Sequence, residues 1–229
     1  MLDIQKHKYI LVQILKDIYS EKNISPLMGF KGGTAAYLFY DLPRFSVDLD
    51  FNLLESGKKD LVFRKIKDIL RNYGDVKIAR EKRYTIFFLL SYGEKASNIK
   101  IEISKRTFPD SYEVKNYLGI PMLVMKKEDI FAHKLVAFLD RKSIANRDIF
   151  DLWFFFKKNW DINQKIVALR TGKKLDDYLK DCIKTVKKLK KTYILQGLGE
   201  VLEEEQKEWV KNNLKEDLIF LIKNYLKSS

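Results

Sequence analysis

The stretch FKGGTAAYLFYDLPRFSVDLDFNLL, residues 30–54, decides the fold. Its second half alternates, and residues 45–53 are expected to form a strand. Phe45, Val47, Leu49 and Phe51 then point to one face, and Ser46, Asp48, Asp50 and Asn52 to the other. If the apolar face packs on a core, the opposite face carries two carboxylates with Cα atoms about 7 Å apart. Such charges repel unless a cation lies between them, and Mg²⁺ is often held by one or two carboxylates plus substrate phosphates. An Asp-X-Asp on a half-exposed strand is common, so it assigns no chemistry alone. Its context adds to it. Lys31-Gly32-Gly33-Thr34 falls between a short strand, Leu27–Phe30, and a helix running to about Tyr40. Glycine lets backbone N–H groups approach a phosphate, and the helix start favours negative charge. The Gly-Lys-Ser/Thr ending of a Walker A loop is absent. A tight strand-to-helix turn accounts for the glycines equally well, and both readings can hold together.

Working outward, residues 2–22 are expected to form an opening helix, with Ile4, Ile10, Leu11, Ile14, Leu15 and Ile18 at helical spacing. Residues 59–73 read as an amphipathic helix. Three strands follow, at 76–80, 84–92 and 98–104. In the last, Ile99, Ile101 and Ile103 face one way and Lys100, Glu102 and Ser104 the other. If it lies beside the Asp strand, Glu102 completes a three-carboxylate site; alone it is a solvated strand residue. Residues 112–120 are ambiguous, and 123–125 read as a short strand before a helix over 128–141. Helices are expected at 147–158, 161–170, 175–190 and 203–226. The expected fold class is α+β: a mixed sheet flanked by helices, then a C-terminal helical bundle. The domains are placed at 1–126 and 127–229.

The 229 residues carry 44 Lys and Arg against 31 Asp and Glu, a net charge of +13 that favours a polyanionic partner. Between Lys157 and Lys191, 12 basic residues face 4 acids, and Lys180, Lys184, Lys187, Lys188 and Lys191 recur as a possible helical stripe. Such a surface suits an RNA backbone. Trp153, Trp160 and Tyr178 fall within and just before this region and are read as core rather than stacking platforms. A single cysteine, Cys182, and two histidines, His7 and His133, exclude an internal disulfide and any cysteine or multi-histidine metal site. No apolar run approaches the roughly 18 residues of a membrane span. A cytoplasmic protein without membrane association is expected.

The motifs together resemble a known family. Lys31-Gly-Gly-Thr34 followed by Arg44-Phe-Ser-Val-Asp-Leu-Asp-Phe51 is similar to the signature of the AbiEii/AbiGii nucleotidyltransferase toxins, within the DNA polymerase β-like nucleotidyltransferase superfamily. Glu128-Asp-Ile-Phe-Ala-His-Lys-Leu-Val-Ala-Phe138 resembles the family's lysine-bearing helix, and Arg147-Asp-Ile-Phe-Asp-Leu152 its Arg-Asp-X-X-Asp-Leu segment. Order and spacing agree over about residues 28–156.

The resemblance implies a minimal nucleotidyltransferase fold and Mg²⁺-dependent (or Mn²⁺-dependent) transfer of a nucleoside monophosphate from an NTP, with release of pyrophosphate. It implies an RNA acceptor, a tRNA 3′ end, and a toxin paired with a separate antitoxin protein. By motif position, Ser46, Asp48, Lys134 and Asp151 match the family's central functional residues. Asp50 is the second acid of its motif, and Glu102 sits on the usual third-carboxylate strand. The helical domain would then contribute Lys134 and Asp151 to the cleft. Asp48, Asp50 and Glu102 would hold metal, while Lys31, Gly32, Gly33, Thr34, Arg44 and Arg141 are candidates for phosphate. An ion pair of Arg147 with Asp151, four residues on, is the plainer account of that segment, and Asp148 competes with Asp151 for the functional role. Three alternatives differ in kind: a non-catalytic nucleotide-binding protein on the same fold, a small-molecule nucleotidyltransferase, and a metal nuclease. The first would bind nucleotide without turnover. The second needs an acidic acceptor pocket, and the third shortens RNA without NTP.

Overall fold

The computed structural model describes residues 3–93, 98–141 and 143–228. They divide into two compact units, Met1–Lys126 and Lys127–Ser229.

The first unit opens with α1 (Ile4–Ser20), capped by Asp3, whose carboxylate accepts from the Lys6 N–H at 3.0 Å. Leu11, Ile14, Leu15 and Ile18 are buried at the expected helical spacing, while Ile4 is exposed. Then come β1 (Met28–Lys31), α2 (Gly32–Phe39), β2 (Leu49–Leu53) and α3 (Lys59–Arg71). Five strands follow: β3 (Asp75–Glu81), β4 (Thr85–Ser91), β5 (Asn98–Ser104), β6 (Tyr112–Tyr117) and β7 (Ile120–Met125). Among the described residues they form one mixed sheet in the order β3-β4-β5-β2-β1-β7-β6. β2 runs parallel to β5, and β1 parallel to β7; the other neighbours are antiparallel. Helices α1 and α3 cover the apolar face, where Tyr19 meets Phe51 and Phe63 meets Phe88. That face contains Phe30, Leu49, Phe51, Ile86, Phe88, Ile101 and Ile103, all fully buried. Each such side chain contributes roughly 1.5–3 kcal/mol relative to exposure.

The strand expected over 45–53 is shorter, because regular pairing begins at Leu49. Alternation fails upstream, where Arg44, Phe45 and Ser46 are all buried. Side chains replace a neighbouring strand there. The Val47 carbonyl accepts from His7 and the Asp48 carbonyl from Thr34, so these backbone groups are satisfied without a ladder. The ambiguous stretch after 112 resolves into the β6–β7 hairpin, with the turn at Leu118 and Gly119, both at positive φ.

The second unit is helical: α4 (Lys127–Asp140), α5 (Asn146–Lys157), α6 (Gln164–Thr171), α7 (Leu175–Lys188) and α8 (Glu204–Ser228). In α5 every residue from Asp148 to Phe156 is buried, so it is the central helix, packed against α4 and α8. Trp153, Trp160 and Tyr178 are interior, with the Trp153 indole N–H donating to Asp217 at 2.8 Å and Trp160 stacked on Phe155. Cys182 is buried in α7, and burial pushes its thiol pKa up. Among the described residues no helix is long and apolar enough to cross a membrane.

His7 is 1% exposed and spans two segments, with Nδ1 2.5 Å from the Tyr92 hydroxyl and Nε2 2.9 Å from the Val47 carbonyl. A carbonyl only accepts, so Nε2 carries a proton, and in the neutral ring Nδ1 then accepts from the Tyr92 hydroxyl. Burial holds its pKa below the ordinary value, against an upward pull from the Val47 carbonyl and Asp48. The folded pKa therefore lies below the unfolded one. His7 stabilises fully above about pH 6.5, and its contribution is lost as pH falls towards the folded pKa. Urea midpoints measured between about pH 7 and 5 should fall for the wild type and flatten in His7→Gln; equal slopes for the two would contradict the buried neutral ring.

Candidate active site

The polar face of the first unit is organised by register. Lys31 pairs with Asp50 across β1 and β2, Asp50 with Glu102 across β2 and β5, and Glu102 with Phe87 across β5 and β4. Partners in register share a face, and neighbouring strands lie about 4.8 Å apart. Parallel pairing of β2 with β5 thus places Glu102 beside Asp50. Asp48, two residues before Asp50, has Lys100 Nζ 3.9 Å from its Oδ2. Lys100 is two residues before Glu102, so Asp50 and the Asp48 just ahead of β2 each have a charged neighbour on β5.

The glycines close the other side. Gly32 has φ +78°, and a Cβ built there would come 2.5 Å from Asp50 Oδ2. Only a residue without a side chain lets the start of α2 lie against that carboxylate. At Gly33 a Cβ would meet Arg44 Nη2 and Ser46 Oγ, each at 3.0 Å.

Thr34 and Ser46 are buried and joined, their hydroxyl oxygens 2.9 Å apart. The Thr34 hydroxyl also bonds the Asp48 carbonyl. Having one proton, it donates to that carbonyl and accepts from Ser46. These two residues tie α2 to the segment that carries Asp48. Arg44, expected to reach phosphate from a strand face, is 4% exposed and lies before the strand starts; its Nη1 donates to the Phe45 carbonyl at 3.0 Å. Its guanidinium lies alongside Gly33.

No group of three or more His, Cys, Asp or Glu residues among the described ones is close enough to form a preassembled metal site. Of the three expected ligands, Asp50 and Glu102 lie in register on β2 and β5, and Asp48 lies two residues before Asp50. Two carboxylates that leave room for phosphate oxygens and water still suit Mg²⁺, which rarely takes an all-protein cage. The donor chemistry fits the ion.

In the second unit, Lys134 Nζ lies 2.8 Å from Asp148 Oδ1 and 3.0 Å from Asp151 Oδ2. Arg141 Nε is 2.9 Å from Asp148 Oδ2, a contact that lacks hydrogen-bond alignment. Asp148 and Asp151 are buried, and Lys134 is nearly so. Both acids hold the lysine. Asp151 is engaged by Lys134, which answers the charge that the intrahelical Arg147 pairing was expected to answer. His133 is not a free base; its Nδ1 is 2.9 Å from Arg170 Nη1. The lysine stripe of α7 is partly neutralised, with Lys180 paired to Asp177, Lys184 to Asp181 and Lys191 to Glu216.

The sequence matches the model of the nucleotidyl transferase AbiEii toxin of a type IV toxin–antitoxin system over residues 13–219. The chain belongs to the AbiEii family. Solved structures that it resembles include the following two. One is a "putative nucleotidyltransferase" from H. pylori, at 26% identity and TM-score 0.62, covering 100% of this chain and 99% of that one. The other is JHP933 from Helicobacter pylori, at 26% identity and TM-score 0.61, covering 100% of this chain and 97% of that one. No curated protein matches significantly. The AbiEii toxins are nucleotidyl transferases, and the mixed sheet flanked by helices agrees with the fold of these neighbours.

Some side chains at the site carried no sequence signal. His7 and Tyr92 reach the β2 approach from distant segments, and nothing local marks them. Asn52 is buried, donating to Asp110 and Tyr112 at 2.7 Å, and among the described residues its Oδ1 accepts no hydrogen bond. Lys100 was legible as a same-face neighbour of Glu102.

Gly32→Ala should cost about 1–2 kcal/mol from the left-handed backbone alone, and displace Asp50. Gly33→Ala, which lacks the positive φ, should cost less. Denaturant titration of both variants checks the order; equal losses would contradict the close approach of Asp50 to Gly32.

Proposed function

We propose that this AbiEii protein transfers a nucleoside monophosphate from an NTP to an RNA acceptor, a tRNA 3′ end, as the toxin of a pair with a separate antitoxin. The acceptor hydroxyl attacks the α-phosphorus, a new P–O bond forms, the bond to the β-phosphate breaks, and pyrophosphate leaves with the displaced charge. The hydroxyl proton passes to solvent or a nearby carboxylate. The observation that carries this reading is the register that sets Asp50 between Lys31 on one side and Glu102 on the other, with Gly32 against its carboxylate.

Asp48 and Asp50 would hold Mg²⁺, or Mn²⁺ in its place. Bound there, the ion would neutralise triphosphate charge and favour the deprotonated acceptor hydroxyl. The chain's own residues do the remaining work. Lys31 and the backbone N–H groups at Gly32 and Gly33 orient the triphosphate. Thr34 and Ser46 fix the backbone that carries Asp48, and Arg44 braces the glycine turn. Glu102 adds negative charge beside Asp50 and draws in cation. For the helical unit the proposal is separate: Lys134 serves as a cation for phosphate, held in place by Asp148 and Asp151, with Arg141 as a second, half-exposed cation. The net charge of +13 supports a polyanionic acceptor over a cationic small molecule. A cytoplasmic location follows from an RNA target.

The test is incubation with total tRNA, each labelled NTP in turn and Mg²⁺ or Mn²⁺, resolved on a sizing gel. Lengthened, labelled tRNA is expected. Asp48→Ala should lower the rate by about a thousandfold or more, and Lys134→Met should lower it also. Absence of transfer with every NTP contradicts the proposal, and NTP-independent shortening of RNA points to a nuclease instead.

A further inference from the structure

The row of paired residues continues past the carboxylates. Phe87 faces Glu102 on one side and Arg80 of β3 on the other. The sheet therefore presents, in order, Lys31, Asp50, Glu102, Phe87 and Arg80. Phe87 stands two strands, about 10 Å, from Asp50, on the side away from Lys31 and Gly32. Two cations lie over its ring, Lys82 Nζ at 4.5 Å and the Arg80 guanidinium at 5.9 Å from the centroid. The β3–β4 hairpin then closes through the Lys82 N–H, which donates to the Thr85 carbonyl at 2.8 Å. Tyr84, at its tip, is 42% exposed, with Arg106 at 4.5 Å and Arg83 at 4.9 Å from its ring.

Among the described residues these charges have no acid paired to them. Glu81, the acid at this end of β3, is already held by Lys59 and Lys105. Among the described residues no carboxylate pairs with Arg80, Lys82, Arg83 or Arg106. Two aromatic rings, each flanked by two arginine or lysine side chains free of acids, are the ingredients of a single-strand platform. Bases stack on the rings and phosphates meet the cations. A duplex offers no free base faces to such a surface.

We propose that the β3–β4 hairpin end, with Phe87 on the carboxylate face and Tyr84 at the turn, holds the single-stranded 3′ end of the RNA acceptor, which passes round the turn. This rests on the transfer reading above, and it adds where the acceptor lies. The terminal base stacks on Phe87 and a preceding base on Tyr84, with phosphates against Arg80, Lys82, Arg83 and Arg106. Asp50 and Glu102 then stand between the triphosphate side, at Lys31 and Gly32, and the acceptor side, at Phe87. A terminal hydroxyl arriving from Phe87 meets the α-phosphate from the face opposite the Lys31 turn.

The test measures anisotropy of a fluorescein-labelled single-stranded RNA oligonucleotide with the full chain, and in parallel the affinity for a fluorescent NTP with Mg²⁺. Thermal melting confirms that each variant is folded. Tyr84→Leu and Phe87→Leu should each weaken RNA binding by about 5- to 100-fold. Arg80→Gln with Lys82→Gln should lower the slope of log affinity against log salt by about 1.4, as two lost phosphate contacts require. NTP affinity should be unchanged in all three. RNA affinity and salt slope equal to the wild type overturn the proposal and leave the transfer reading intact. Loss of NTP affinity alongside RNA affinity also overturns it, because the residues then serve the triphosphate. A wild type that binds no RNA overturns both.

Discussion

Two acids, Asp50 and Glu102, are brought side by side by a single pairing, that of β2 with β5 in parallel. Parallel register sets Asp50 opposite Glu102, and Asp48, just ahead of β2, lies beside Lys100 of β5. Carboxylates this near repel by an amount on the order of a few kcal/mol before solvent screening reduces it. The fold accepts that cost because Leu49, Phe51, Ile101 and Ile103 on the reverse of the same strands are fully buried. The core fixes the register, and the register concentrates the charge. Lys100, beside Asp48, answers part of it, while Lys31 stands across from Asp50. A divalent cation with its phosphates would answer the rest.

The helical unit follows the opposite logic. Lys134, Arg141, Asp148 and Asp151 balance in sign, and the two acids lie within the most buried helix of that unit. Buried ion clusters add little net stability, but removing one partner leaves an uncompensated charge, at about 3–5 kcal/mol. Such a cluster holds its lysine in a single arrangement. It gives a point charge a defined position where a solvated lysine would sample many.

Much of this was legible in the sequence where local period decides structure. The alternation of Ile99, Ile101 and Ile103 marks β5, and its pairing with β2 sets the exposed Glu102 beside Asp50. The glycine pair marked a turn, and Gly32 does take a positive φ. What escaped depended on long-range contacts. The strand read from Phe45 starts only at Leu49, because His7 and Thr34 satisfy the backbone ahead of it. Arg44, a candidate for phosphate, is buried beside Gly33 by contacts that no local pattern announces. The lysine spacing on α7 suggested an open stripe, but acids three residues before Lys180 and Lys184 pair with them. The sharper basic feature lies at the β3–β4 turn, where Arg83 and Tyr84 gave no period to read.

The central claim is that Asp48 and Asp50 form a cation site completed by a nucleotide. Mn²⁺ binding followed by electron paramagnetic resonance, with and without a non-hydrolysable NTP analogue, addresses it most directly. The account predicts that the analogue tightens Mn²⁺ binding to the wild type, and that Asp48→Asn and Asp50→Asn each abolish this gain while remaining folded. Equal Mn²⁺ binding by wild type and both variants would contradict it.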